Sequence, residues 1–221
     1  MCGRYSFAVS PAVVSADISM LESPIVLEPN YNIAPTQQAY IVTSEQPGIL
    51  QLFQWGLIPY WSKSGRMSSP LINARCETLY EKPSFRLPFQ QQRCLVPADS
   101  FYEWEKIGRT RKPYRIVRTD GHILCMAGLW DVWKQGDDTI HSFTIVTTRA
   151  NADVVPLHDR MPVILTGSSM QHHWLEETSL SDLQQLFEPP PPGLLTYYPV
   201  SDRVNYVKNN DPGLHLALDK G

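Results

Sequence analysis

Two neighbouring runs decide how this chain folds: Phe101-Tyr102-Glu103-Trp104-Glu105-Lys106, and Tyr114-Arg115-Ile116-Val117-Arg118-Thr119-Asp120-Gly121-His122-Ile123-Leu124-Cys125-Met126-Ala127-Gly128-Leu129-Trp130. Both are rich in aromatic and β-branched residues and are cut by turn formers, the pattern of strands. Residues 101–106, 114–118 and 123–130 are read as three of them. Asp120-Gly121 reads as a tight hairpin turn between the last two, and residues 108–112 as a looser, basic loop before them. Working outward, residues 39–43, 49–55 and 143–148 repeat the strand signal. Helices are fewer. Ser10-Pro11 is an N-cap followed by proline at the first helical position, opening a helix to about Leu21. Residues 74–80 and 84–92 read as short helices separated by Pro83, and residues 168–177 and 181–187 as late ones. Residues 189–192 are consecutive prolines, an extended polyproline II connection. The sum is a single α+β domain over residues 1–221, with a mainly antiparallel, barrel-like sheet and flanking short helices.

Composition sets bounds on function. The 221 residues suffice for one sizeable core. With 19 prolines and 12 glycines, the chain suits short elements joined by fixed turns. Net charge is −3, so a polyanionic partner needs a local basic patch, not bulk charge. No stretch nears the ~20 apolar residues needed to cross a bilayer, and residues 1–20 lack a signal-peptide pattern. A cytoplasmic protein without membrane contact is expected. Cys76, Cys94 and Cys125 are widely spaced, with no C-x-x-C pair, which argues against structural zinc. His172 and His173 are adjacent, and on a helix their rings point about 100° apart. No metal site is expected.

Five places carry candidate chemistry. Cys2 follows the initiator Met. If the Met is removed, Cys2 holds an α-amine and a thiol on adjacent carbons, both titrating near ~8 in model peptides. Such a 1,2-aminothiol condenses with an aldehyde to an imine and then closes to a thiazolidine; alternatively, position 2 is merely a small residue after the start. Asn73, Arg75 and Glu77 share a face if their segment is extended, with an Asn able to orient a reacting group and an Arg able to clamp an anion; otherwise Asn73 caps a helix. Glu103 lies among large rings. If buried, its pKa rises and suits a proton donor; otherwise it sits on a half-solvated strand. Leu157-His158-Asp159-Arg160-Met161-Pro162 is either a proton shuttle beside a phosphate clamp or a loop held by its own charges. Trp61, with Tyr60, Lys63 and Arg66, is either a stacking platform for unpaired bases or a loop anchor.

In this order, these motifs resemble those of one family. Met1-Cys2-Gly3-Arg4-Tyr5, Tyr31-Asn32-Ile33-Ala34-Pro35-Thr36, Trp55-Gly56-Leu57-Ile58-Pro59, Ile72-Asn73-Ala74-Arg75-Cys76-Glu77-Thr78, Phe101-Tyr102-Glu103-Trp104, Leu157-His158-Asp159-Arg160-Met161-Pro162 and Val204-Asn205-Tyr206-Val207-Lys208-Asn209 together resemble the SRAP (SOS-response-associated peptidase) family, which includes abasic-site DNA–protein crosslinkers. The resemblance implies that Cys2 captures the ring-opened aldehyde of an abasic site in single-stranded DNA as a thiazolidine. Asn73 would orient the adduct, Glu103 act as general acid and His158 shuttle protons. Arg4, Arg75 and Arg160 would bind flanking phosphates, and Pro35, Trp61, Trp104 and Lys208 complete the implied DNA-binding set. No cofactor is required, and the protein is expected to work as a monomer, at the nucleoid when bound to DNA. Two other readings remain at this point: a thiol peptidase with Cys2 as nucleophile and His158 as base, acting on other peptides or only on its own initiator Met, and a non-covalent binder of modified DNA.

Overall fold

The computed structural model describes residues 2–22, 24–176 and 179–218. Twelve strands occur among them: β1 Tyr5–Phe7, β2 Asn30–Ile33, β3 Gln38–Thr43, β4 Gln46–Trp55, β5 Asn73–Arg75, β6 Arg93–Ala98, β7 Ser100–Ile107, β8 Thr110–Arg118, β9 Leu124–Gln135, β10 Asp138–Arg149, β11 Arg160–Pro162 and β12 Leu195–Pro199. They form two sheets. One has five strands in the order β12-β8-β7-β1-β2. In the other, β10, β4, β3, β6 and β9 close on themselves, because β9 pairs back to β10. This closed barrel carries β5 and β11 on β10. Most pairings are antiparallel; β10 runs parallel to β4 and β5. The expected barrel-like α+β architecture is present.

Closure depends on a small residue. A Cβ at Gly128 would lie 2.8 Å from Cys94 Sγ and 3.0 Å from the Thr144 carbonyl oxygen, so only glycine lets β6, β9 and β10 approach this closely. The main core fills the barrel and the space below the five-stranded sheet, with Tyr5, Trp55, Phe101 and Phe143 fully buried. The Tyr5 and Trp55 rings meet edge-on at 5.1 Å, a favoured aromatic geometry. A second cluster lies on the far face of that sheet. There Tyr102 packs with Val200, Val204 and Leu214 of the C-terminal segment.

Several expectations are corrected. Asp120-Gly121 does not close a hairpin: β8 pairs with β7 and β12, whereas β9 pairs with β6 and β10. The turn is instead the corner between the sheets, held by Asp120 accepting from Arg118 at 2.6 and 2.9 Å. The tight hairpin falls in the supposed loose loop, where Ile107 pairs with Thr110 across Gly108-Arg109. Another tight turn, at Gly136-Asp137, joins β9 and β10. The first helix, α1 Pro11–Asp17, ends before Leu21, and the Ser10 side chain makes no capping bond. Residues 74–80 are not a helix but β5 followed by a 3-10 turn at Cys76–Thr78. Pro83 opens α2 Pro83–Gln91, where its missing N–H costs nothing. The late helices are α3 Ser168–Leu175 and α4 Leu180–Gln185; the expected extension of the former through Glu177 lies outside the described residues. No described helix is long and apolar enough to cross a membrane.

Candidate active site

β1 lies inside the five-stranded sheet, between β7 and the edge strand β2. Tyr5 pairs with Phe101, and the Tyr102 N–H donates to the Arg4 carbonyl at 2.9 Å. Continuing this antiparallel register sets Gly3 level with Glu103, which brings Cys2 to that carboxyl. Alternation along β7 sends Phe101 and Glu103 toward the main core and Tyr102 and Trp104 toward the C-terminal segment. Across the seam, β5 lies on the barrel strand β10, and Asn73 Nδ2 donates to the Cys2 carbonyl at 2.8 Å. Because residues 73–75 are extended, Asn73 does not cap a helix.

Cys2 is fully buried and belongs to the core. Burial pushes its thiol far above the usual thiol range, and the charge of Glu103 pushes the same way. The thiol is therefore held protonated, unlike a free aminothiol. Glu103 is also buried, so its carboxyl rises above the usual carboxylate range by desolvation, opposed by nearby His158. His158 belongs to the connection from β10 to β11. Its Nδ1 accepts the Arg160 N–H at 2.9 Å and lies 2.8 Å from Asp159 Oδ1. Cys2, Asn73, Glu103 and His158 thus meet at one seam between barrel and sheet.

The expected DNA-binding residues divide by environment. Arg75 and Lys208 are exposed, and among the described residues neither side chain has a hydrogen-bond or ion-pair partner. Trp61 is 51 % exposed, and Pro35 is half-buried. Arg4, Arg160 and Trp104 make intramolecular contacts. Arg160 grips Glu77 through both terminal nitrogens, at 2.5 and 2.9 Å, and reaches the Thr147 carbonyl at 2.7 Å. That contact holds Glu77 down to about 2. Arg4 donates to Asn32 Oδ1 at 2.7 Å and the Val204 carbonyl at 2.6 Å, and its guanidinium lies 5.8 Å from the Trp104 ring centre. Trp104 Nε1 donates to Asn205 Oδ1 at 2.8 Å.

Sequence reasoning missed the centre of this latch. Asn32 is buried, and its amide donates to the carbonyls of Val204, Tyr206 and Asn209. It ties the C-terminal segment to the strand beside Cys2. Asn32 stands alone among apolar neighbours in Tyr31-Asn32-Ile33-Ala34, and that buried polar residue was the available signal. No group of three or more His, Cys, Asp or Glu side chains that could hold a metal occurs among the described residues.

The fold and seam define a barrel-and-sheet protein with a cysteine near its N-terminus, set against a buried carboxyl, an amide and an imidazole. The family model for SOS response associated peptidase (SRAP) matches residues 1–207. The chain belongs to this family. It is 38 % identical over 221 residues to the Bacillus subtilis abasic site processing protein YoqW, covering 97 % of this chain and 98 % of that one. It is 32 % identical to the Xenopus tropicalis abasic site processing protein HMCES, over 86 % of this chain and 67 % of that one. A crystal structure of a Bacteroides thetaiotaomicron protein superposes with a TM-score of 0.85 at 29 % identity, covering 98 % of this chain and 100 % of the other.

Proposed function

We propose that this protein processes abasic sites in single-stranded DNA by covalent capture through Cys2. The observation that carries this reading is the seam itself: Asn73 holds the Cys2 carbonyl while a buried carboxyl of raised pKa stands beside the thiol. Family membership and the names of the relatives point to the same substrate.

The order of steps follows from the protonated thiol. Removal of residue 1 frees the Cys2 amine. That nitrogen adds to the aldehyde carbon of the opened sugar and forms a carbinolamine. Glu103, whose proton affinity is raised by burial, gives a proton to the carbinolamine hydroxyl, which leaves as water. The resulting iminium carbon accepts Sγ, forming a C–S bond as the C=N π pair returns to nitrogen, and the thiol proton passes to the Glu103 carboxylate, which restores its acid form. His158 assists the proton transfers beside Glu103. A thiol peptidase needs a ready thiolate, and burial of Cys2 opposes one.

The test incubates the purified protein with single-stranded DNA containing one abasic site, followed by denaturing electrophoresis and intact-mass analysis. A denaturant-stable adduct, lighter than the sum of its parts by one water and absent for Cys2→Ala or for protein retaining residue 1, is expected. An adduct of normal yield from Cys2→Ala protein overturns the reading.

A further inference from the structure

The loop after Trp55 forms a groove that the capture chemistry does not use. It has a volume of about 340 Å³ and is bounded by Thr36, Gln54, Gly56, Ile58, Arg66 and Met67, with Pro70 and Ile140 completing the wall. Two features mark it as built. Gly56 has φ +122°, and a Cβ there would lie 3.1 Å from the Pro70 side chain, so glycine lets the loop return close to its start. Thr36 is the described non-glycine residue held at positive φ, 73°, a strained state for a β-branched side chain and one that gathers at ligand sites. The loop is also anchored, since Trp133 Nε1 donates to the Ser62 carbonyl at 2.8 Å.

The groove adjoins the seam. Trp55, next to Gly56, donates from Nε1 to the Ile72 carbonyl at 3.0 Å, and Ile72 precedes Asn73. Its lining combines apolar walls with two planar polar groups, the Gln54 amide and the Arg66 guanidinium. Among the described residues neither side chain has a hydrogen-bond or ion-pair partner.

The geometry points to this groove as a subsite for a purine base adjoining the lesion, an inference that rests on the proposed function. The apolar walls suit a base face. An amide offers one donor and one acceptor, matching N7 and N6 of adenine, and a guanidinium matches N7 and O6 of guanine. Single-stranded bases are free to present these edges. A pyrimidine lacks N7 and cannot satisfy either pairing.

The experiment measures binding without capture. Single-stranded oligonucleotides carry a tetrahydrofuran abasic analogue, which has no aldehyde, with each of the four bases placed in turn on its 5′ or 3′ side. Affinity is read by fluorescence anisotropy at fixed salt. A purine on one side is expected to bind about tenfold tighter than a pyrimidine there. Gln54→Leu, checked for folding by thermal melting, should remove the adenine preference, and Arg66→Ala, on the exposed loop, the guanine preference. Equal affinity for purines and pyrimidines on both sides overturns the inference while leaving the proposed function standing. So does an undiminished purine preference in the two variants. Failure of the wild type to bind any of the oligonucleotides refutes both.

Discussion

Replacing Arg4 with alanine should loosen the C-terminal latch, and the cost follows from its contacts. Arg4 supplies two short hydrogen bonds, to Asn32 Oδ1 and to the Val204 carbonyl. Bonds from a charged donor contribute about 1.5–3 kcal/mol each, so deleting both costs about 3–6 kcal/mol. Two effects reduce this. The Val204 carbonyl keeps a second donor, Asn32 Nδ2, at 3.3 Å. Arg4 Nε is buried without a hydrogen bond, and removing that orphan returns about 1 kcal/mol. The net expectation is a loss of about 2–4 kcal/mol, or about 5–15 °C in Tm for a chain of this size. Protease cleavage within residues 200–218 should accelerate in parallel. Arg4→Lys should recover much of the loss, because both bonds leave the single nitrogen Nη1 and an ammonium also carries several donors. A Tm within about 2 °C of wild type, with unchanged protection of the C-terminal segment, would refute the assignment of Arg4 as a latch.

The remaining predictions concern the seam and its surroundings. Glu103→Gln should slow adduct formation by about 10²–10⁴-fold in single-turnover time courses, with DNA affinity nearly intact; wild-type rates would remove Glu103 from the chemistry. The same variant should change the pH dependence of stability. A carboxyl whose folded pKa is raised contributes fully below its unfolded value of about 4.3 and loses that contribution as pH rises through the folded value, so denaturant midpoints of wild type should fall across that window relative to Glu103→Gln. Glu77 behaves oppositely: its pairing contributes above about 4.3 and is lost as pH falls toward about 2. With its side chain 53 % exposed, solvent screening reduces the contribution to about 1 kcal/mol, and acid titration of Glu77→Gln should show that component missing. Cys2→Ala should cost about 1 kcal/mol in urea melts, since the lost sulfur is buried; an unchanged midpoint would place Cys2 outside the core. Single-strand affinity should fall with salt at a log–log slope of about −2 to −3.5, as for a few phosphate contacts, and a flat salt profile would contradict phosphate binding.

Local chemistry made much of this molecule legible in the sequence. Aromatic and β-branched runs identified six of the strands' locations because side-chain alternation is a property of neighbours. The same alternation put Phe101 and Glu103 on one face and Tyr102 and Trp104 on the other, as the two clusters show. Very short strands such as β1 and β5 carry too few residues for a period and emerge only through their partners. The Asp120-Gly121 turn shows the limit most clearly. Its dipeptide dictates a reversal, but whether the two arms pair depends on which other strands have claimed their edges. Likewise, Pro83 could be recognised as a boundary residue, yet which side of it was helical depended on α2 packing against the barrel.

The sequence by itself determined the residue types of the site and their order along the chain, because thiol, carboxyl, amide and imidazole chemistry belongs to the side chain. Only the tertiary structure decided that Cys2, Asn73, Glu103 and His158 share a seam, since β1 inserts between β7 and β2 while β5 pairs with β10. It also shifted two of their acidities. Burial, not residue identity, lifts both the Cys2 thiol and the Glu103 carboxyl. And it separated the arginines: Arg75 faces solvent, whereas Arg4 and Arg160 are held by Asn32 and Glu77, partners 28 and 83 residues away in sequence. Such long-range pairings depend on how the barrel closes and where the sheet crosses it, which no local pattern encodes.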